Sequence, residues 1–445
     1  MQPTEPMQPM QYNQTISNPG RRRDILLLIL TCTGILGLLV RSAILAFTGF
    51  INFDPQSSTS LSASVLGALA MLFCAGLLTP VLVYTVKRLR GQALPPAVIR
   101  PIKFWQVAGF VATWGLVVII GAGLSSLFSY GWAVAAPFLL LGISLPILSL
   151  AWIGAGGLPT GSLRRLWSVF GYGMVGATLT ALVLEYLLVG MAVLGIGVIA
   201  SANPALRSTL DQIQTLVTNA KTGDMQVLLT VLAPYITNPL VILSILVFAA
   251  VLAPMIEEAA KPAVIWLLGK RLRSPAEGFA LGVICGAGFA MMEGLLAASS
   301  GTQMWGFSLV GRAPASLMHM TASGLMGWAI ASTIMKKRTW QLGMIYILSV
   351  SIHGLWNGSA ILAVYGALRM MVQNTQFDFL NISFSVVGVG MLLIELIVMI
   401  AVLPMVNRRL RQPSAPVPAP VQSDIIAPLT TSDPRETNGL DSKNR

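Results

Sequence analysis

Charged residues are scarce in this chain. Asp, Glu, Lys and Arg make up 10% of its 445 residues, hydrophobic residues make up 55%, and the mean hydropathy is +0.76. In soluble globular domains about a quarter of the residues are charged. The composition therefore excludes an ordinary soluble protein. It predicts an all-α, polytopic transmembrane helix bundle, because helices satisfy their own backbone hydrogen bonds in lipid.

Cysteine and histidine are also rare. The three cysteines, Cys32, Cys74 and Cys285, lie in or beside apolar runs without paired spacing. They offer neither a disulfide framework nor a cysteine-type zinc site. A serine or cysteine nucleophile signature and the His-Glu-x-x-His zinc motif are both missing. The whole chain contains two histidines, His319 and His353.

Ten apolar segments are each long enough to cross a hydrocarbon layer of about 30 Å at about 1.5 Å per residue. The first apolar run is too long for a signal-peptide core, so it is predicted to be a retained helix. The ten predicted spans are 25–47, 61–86, 105–127, 132–153, 167–199, 239–268, 276–298, 313–335, 340–368 and 384–406.

The net charge of +12 is distributed in short basic clusters between these spans. This distribution argues against a nucleic-acid partner and for contact with the lipid bilayer. With ten spans every cluster falls on one side, which the positive-inside rule assigns to the cytoplasm. Both termini are thus predicted to be cytoplasmic, in a bacterial cytoplasmic membrane. The clusters are Arg21–Arg23, Lys87–Arg90, Arg164–Arg165, Lys270–Arg273, Lys336–Arg338 and Arg408–Arg411.

The stretch Met255–Pro262 carries two carboxylates and a lysine inside a predicted span. Each such group costs about 2.5–3.5 kcal/mol on membrane-insertion scales, so it is rarely idle. Glu257 and Glu258 lie four and three residues before Lys261, within reach of its ammonium on a helix. A structural ion pair would account for one carboxylate only. Pro254 and Pro262 bracket the stretch and interrupt helix hydrogen bonding.

Three further spans carry polar groups: Glu293 in the seventh, His319 in the eighth, and His353 with Asn357 in the ninth. The depth of each group can be estimated from the basic cluster at the end of its span, at about 1.5 Å per residue. By this estimate these groups and the acid pair lie at similar depths in the membrane. We therefore expect them to converge in one site. The alternative for each is a helix-packing contact. Two other carboxylates in spans, Glu185 and Glu395, are left unassigned.

A glutamate beside a second acid is a suitable base for water. Imidazole can orient that water or pass a proton to a leaving amine, and a His/Asn pair on one helix face can bind an oxyanion. The chemistry that fits is acyl hydrolysis inside a membrane. A secondary transporter or proton relay would use similar buried groups, and a catalytically inactive scaffold remains a third alternative.

The ordered set of motifs across four consecutive spans resembles the PrsW family of intramembrane proteases. That family is related to CAAX prenyl endopeptidases and bacteriocin-processing membrane proteases. The resemblance covers residues 253–358, and Gly294 stands where the family pattern has Asn. Its motifs are Glu257-Glu258-x-x-Lys261, Phe289-x-x-x-Glu293, Arg312 to His319, and His353-x-x-x-Asn357.

The resemblance implies a role for each group. Glu257 is expected to activate water, with support from Glu258 and with Lys261 tuning their charge. Glu293 and His319 are expected to complete the water or substrate side. His353 and Asn357 are expected to form the oxyanion site. Phe289 and Arg312 are expected to support the site. If a metal takes part, its expected ligands are Glu257, Glu293, His319 and His353.

Zinc is therefore a possible cofactor, although Lys261 beside the acids favours a metal-free site. The expected partner is a membrane-embedded or membrane-anchored protein, such as an anti-sigma factor or a prepeptide. The predicted organisation is a disordered tail 1–23, a five-span region 24–200, an outer loop 201–238, a catalytic core 239–368, a last span 369–411 and a disordered tail 412–445. Apolar residues at helical spacing in the outer loop predict an amphipathic surface helix: Leu206, Leu210, Ile213, Leu216 and Val217.

Overall fold

The computed structural model describes residues 19–52, 58–127, 130–204, 238–299, 305–373 and 379–411, together with 207, 208, 211, 212 and 214. Every regular element in this part of the chain is a helix, which confirms the predicted class. The predicted tail 412–445, residues 1–18 of the other tail, and the five apolar positions of the amphipathic helix lie outside the described residues.

The first half of the chain forms two helical hairpins and one long span. Helix α1 (Pro19–Ile51) packs against α2 (Ser58–Leu89), and α3 (Phe104–Ser126) packs against α4 (Gly131–Ala155). The fifth span consists of α5 (Leu163–Gly171), a π-helical turn (Tyr172–Ala177) and α6 (Thr178–Ala202).

Helix α1 begins earlier than the sequence predicts. Residues 19–23, predicted to be disordered, form its first turn and a half. The reason lies in Asp24, which is buried and pairs with Arg88 of α2 and Arg164 of α5, each at 2.8 Å. These two ion pairs hold the start of α1 against its neighbours.

The sixth span is broken into short pieces around the acid pair. Helix α7 (Pro239–Val247) leads through a π-helical turn (Phe248–Leu252) into α8 (Ala253–Ala260). Helix α9 (Ala263–Leu268) and a 3₁₀ turn (Gly269–Arg271) follow. Proline explains the breaks, since it lacks an N–H and its ring clashes with the carbonyl four residues earlier. The remaining helices are α10 (Pro275–Ser299), α11 (Trp305–Lys336), α12 (Thr339–Gln373) and α13 (Phe379–Arg411).

Nine of the helical segments in the described ranges are long and apolar enough to cross a membrane. They correspond to nine of the ten predicted spans. The exception is the eighth predicted span, residues 313–335, which lies within the 32-residue helix α11. This helix is less apolar because it carries buried polar side chains: Ser316, His319, Thr321, Ser323 and Ser332.

Helix α10 is the centre of the bundle, and its residues 279–292 are all buried. It packs against α11, α4, α5 and the first π-helical turn. Close approach to α11 depends on small residues. A Cβ atom at Gly286 would lie 2.6 Å from the carbonyl oxygen of His319. Glycine at this position thus allows the backbone of His319 to lie directly against α10, which fixes the depth and direction of its side chain.

Candidate active site

Both acids of α8 pair with one lysine, Lys261, at the C-terminal end of the same helix. The Nζ atom of Lys261 lies 2.7 Å from Oε1 of Glu258 and 3.0 Å from Oε2 of Glu257. The side chains of Glu258 and Lys261 are completely buried, while that of Glu257 is 13% exposed. The two carboxylates therefore differ in environment: Glu258 is sealed in the protein and Glu257 is the one that outside molecules can reach.

His353 of α12 contacts the same acids from the neighbouring helix. Its Nδ1 lies 2.9 Å from Oε1 of Glu258, and its Nε2 lies 3.9 Å from Oε2 of Glu257. The contact with Glu258 is short enough for a hydrogen bond, and the distance to Glu257 is too long for one. Because the ionised carboxylate of Glu258 only accepts, Nδ1 carries the proton in the neutral imidazole. Nε2 is then the free acceptor on the side of Glu257.

His319 of α11 lies on the other side of Lys261. Its Nδ1 is 2.9 Å from Nζ of Lys261, and its Nε2 is 2.6 Å from Oε2 of Glu293 in α10. The same oxygen of Glu293 pairs with Arg312 at 2.8 Å. Glu293 thus holds His319 in one orientation and tautomer, as carboxylates behind histidines commonly do. The rings of His319 and His353 meet edge to face, with centroids 5.0 Å apart.

Phe289 closes the cluster on the side of α10. Its ring centroid is 5.2 Å from that of His319, and Nζ of Lys261 lies 4.2 Å from it. The second distance is short enough for a cation–π interaction. Phe289 packs with Ala177 and Ala181 of the fifth span and with Ile256 of α8. This apolar wall keeps the lysine ammonium against its carboxylates.

Asn357 contacts the backbone of the broken span. Its Nδ2 donates to the carbonyl oxygen of Ala249 at 2.8 Å, in the π-helical turn that precedes α8. The structure thus brings together eight of the nine predicted residues in one contiguous cluster, with Asn357 attached to the adjoining backbone. The eight are Glu257, Glu258, Lys261, Phe289, Glu293, Arg312, His319 and His353.

Three side chains that sequence reasoning did not single out donate to the backbone of the broken span. The hydroxyl of Tyr346 donates to the carbonyl of Met255 at 2.8 Å, and that of Tyr172 donates to the carbonyl of Ala260 at 3.0 Å. The thiol of Cys285 donates to the carbonyl of Lys261 at 3.0 Å. Such donors satisfy a helix interrupted by proline inside a membrane. The two prolines were the available signal.

Glu185 of α6 is a further residue of this region. It lies one turn beyond Ala181, which is buried against Phe289, and Oε1 of Glu185 is buried with no hydrogen-bond partner among the described residues. The four-residue spacing of Ala177, Ala181 and Glu185 was the signal in the sequence. The carboxylate interacts electrostatically with several members of the cluster, namely Glu257, Glu293, Lys261 and His353.

Three residues of the cluster fit a metal ion. Glu257, His319 and His353 each offer a ligand atom, and these atoms lie within 4.8 Å of one another. Two histidines and one glutamate are an established zinc ligand set, and a carboxylate behind each histidine is typical of such sites. Glu293, the fourth predicted ligand, is such a carboxylate. The ammonium of Lys261, however, already contacts two of these three residues, Glu257 at 3.0 Å and His319 at 2.9 Å.

The helices and this cluster define a multi-pass integral membrane protein with a buried acid–base site in its bundle. Residues 161–389, just over half of the chain, match the family model described as PrsW family intramembrane metalloprotease. The chain belongs to this family of intramembrane proteases. The match extends beyond residues 253–358 on both sides and includes α5 and α6. No curated protein and no solved structure matches the chain.

Proposed function

We propose that this protein hydrolyses a peptide bond of a membrane-embedded or membrane-anchored protein, with Glu257 as the base that activates water. The observation that supports this role is the difference between the two acids. Glu258 is completely buried and bound by Lys261 and His353, whereas Glu257 is partly exposed at the edge of the cluster. Of the two acids of α8, Glu257 is therefore the one that a water molecule and a substrate carbonyl can approach.

In this mechanism Glu257 takes a proton from water as the water oxygen attacks the scissile carbonyl carbon. The proton then passes to the amide nitrogen as the carbon–nitrogen bond breaks, which yields a carboxylic acid and an amine. Nε2 of His353 faces Glu257 and is free to accept a hydrogen bond, so it orients the water. This assignment moves His353 from the expected oxyanion donor to the water side.

A metal-dependent version uses the same residues. Glu257, His319 and His353 would hold a zinc ion, which when bound would activate water and polarise the scissile carbonyl. In the metal-free version the ammonium of Lys261 takes this position and supplies positive charge. We favour the metal-free version, because the ammonium already binds Glu257 and His319. Metal analysis of the purified protein and loss of activity on chelation would reverse this choice.

A second candidate function is a proton relay. The side chains of Glu293, His319, Lys261, Glu258 and His353 form a continuous chain of polar contacts of 2.6–2.9 Å. Such chains conduct protons in transporters. Purified protein in liposomes with an imposed pH gradient separates the two functions. With a protease, the pH gradient should decay at the same rate as in protein-free liposomes. With a proton relay, it should decay faster.

The proposed setting is a bacterial cytoplasmic membrane with both termini in the cytoplasm. Substrates would enter as single transmembrane segments, for example those of an anti-sigma factor or a prepeptide. Nucleic acid is not a proposed partner, because the basic clusters are short and lie between spans.

The test is Glu257→Gln, which removes the proton acceptor but keeps the size of the side chain. General-base catalysis is worth about 10²–10⁴-fold, so cleavage should fall by that factor. New N-termini in membrane proteins are counted in cells that carry the wild-type or the variant chain. Glu395→Gln, which alters a buried carboxylate of α13, is the matched control. Near-normal cleavage by folded Glu257→Gln protein would reject the assignment.

A further inference from the structure

The turn before the acid pair contains a carbonyl that the backbone cannot satisfy. In the π-helical turn Phe248–Leu252, the N–H of Ala253 donates to the carbonyl of Phe248, five residues earlier. The carbonyl of Ala249 would next require the N–H of residue 253 or 254. The first is already used and the second belongs to Pro254, which has no N–H. Pro254 thus leaves the Ala249 oxygen without a helical partner.

Asn357 supplies the missing donor from α12. Its Nδ2 lies 2.8 Å from the Ala249 oxygen. Helix α12 can come this close because residue 354 is glycine: a Cβ atom there would lie 2.1 Å from the carbonyl oxygen of Ala250. Ala250 is four residues before Pro254, so its carbonyl is the one that a proline ring displaces. The adjacent residues Gly354 and His353, with Asn357, form one face of α12 that matches the distorted turn.

The π-helical turn determines the direction of the acid pair. One additional residue in a helical turn rotates everything beyond it by about 100°, because an α-helix has about 3.6 residues per turn. With the turn in place, Glu258 lies 2.9 Å from His353. Without it, the carboxylates of α8 would point to another face. Asn357 and His353 therefore bind two points of the same span, one on each side of Pro254.

We propose that Asn357 is a positioning residue that stabilises the π-helical turn and thereby directs Glu257 and Glu258 into the site. The oxyanion role expected from the resemblance requires an amide directed at the substrate, and the contact in the structure directs it at the backbone. The effect of this contact on catalysis rests on the proposed function, since it acts through Glu257. The contact between Asn357 and the turn does not depend on the proposed function.

The experiment is hydrogen exchange, measured by mass spectrometry on the full chain in lipid nanodiscs without substrate. Asn357→Leu keeps a similar volume and removes the donor. Loss of the bond should speed exchange of the amides in residues 248–258 by roughly 5- to 100-fold, since leaving a buried carbonyl unsatisfied favours local opening. Exchange in α1 and α2 should be unchanged, which also reports that the variant is folded.

A second variant makes the result independent of one substitution. Gly354→Ala places a methyl group against the Ala250 carbonyl and should speed exchange in the same peptides. Gly343→Ala, on the same helix, is the control, because a Cβ atom there has no neighbour within 4 Å among the described residues. It should leave exchange unaltered. Cleavage by Asn357→Leu and by Gly354→Ala should fall together. If Asn357 acted only as an oxyanion donor, cleavage would fall in Asn357→Leu and not in Gly354→Ala.

The outcomes separate the inference from the proposed function. Unchanged exchange in Asn357→Leu and Gly354→Ala would overturn the positioning role, even if cleavage by Asn357→Leu were lost. Faster exchange in a protein that proves to cleave nothing would support the contact and reject proteolysis instead.

Discussion

Nζ of Lys261 lies 2.9 Å from Nδ1 of His319, on the side of the imidazole that faces away from Glu293. It also lies 3.0 Å from Oε2 of Glu257. The lysine ammonium therefore contacts two of the three residues that could bind a metal ion in this cluster. We therefore expect a metal ion and the ammonium of Lys261 to compete for Glu257 and His319.

Lys261→Met should strengthen zinc binding by at least about tenfold, because it removes the competing ammonium and its positive charge next to Glu257. Equilibrium dialysis of the purified protein against buffered zinc measures the affinity without any substrate. Arg312→Met is the matched control, since it removes the same charge from the partner of Glu293 but leaves Lys261 in place. Equal gains in the two variants would show that only net charge matters.

Glu185→Gln should reduce cleavage, and we expect a loss of about tenfold or more. The carboxylate interacts electrostatically with four titratable members of the cluster, and its buried Oε1 has no hydrogen-bond partner among the described residues. It can therefore accept a proton or a hydrogen bond in the reaction. The measurement is the rate of cleavage of an identified substrate in proteoliposomes. Glu395→Gln should cleave at the wild-type rate, and an equal rate in both variants would place Glu185 outside the reaction.

Gly286→Ala should destabilise the protein by about 1–3 kcal/mol, as overpacking of close helix contacts does. The added methyl group would press on the carbonyl of His319 and move the imidazole of that residue away from Glu293. Thermal unfolding in detergent measures the loss. Gly390→Ala in α13 has no neighbour within 4 Å of its Cβ among the described residues and should unfold as the wild type does. A Gly286→Ala protein of wild-type stability would show that α10 and α11 can separate without penalty.

Both termini should be cytoplasmic, because the basic clusters alternate with the apolar spans so that all of them fall on one side. A phosphatase reporter, which is active only outside the cytoplasm, should be inactive when fused after Arg411. The same reporter inserted in the loop between α6 and α7 should be active. An active fusion after Arg411 would place the C-terminus outside and reject the ten-span topology with cytoplasmic termini.

Much of the candidate site follows from the cost of ionisable groups in lipid. The acid pair of Glu257 and Glu258, the lysine within reach of both, and the two histidines stand out in spans that are otherwise apolar. Helical spacing alone predicts the contacts of Lys261 with Glu257 and Glu258, since they are local. The catalytic roles of these residues stay predictions.

Asn357 and Glu185 show what such reasoning cannot reach. The spacing of His353 and Asn357 predicts that they lie on one face of α12. It does not predict what that face contacts. Asn357 contacts a carbonyl 108 residues away in sequence. Glu185 was left unassigned because it has no polar neighbour at helical spacing, and the groups that interact with it electrostatically lie on other helices.

The sequence by itself determined the class of protein, the spans, and the set of polar groups that lipid would not tolerate singly, since each depends on composition or on spacing within one helix. The tertiary structure decided which nitrogen of each histidine meets which carboxylate and where the amide of Asn357 points. It also decided that Lys261 contacts two of the three residues suited to a metal. The physical reason is rotation. A π-helical turn directs the acid pair of α8, and close helix packing directs the side chains of α10, α11 and α12. Spacing within a single helix predicts neither.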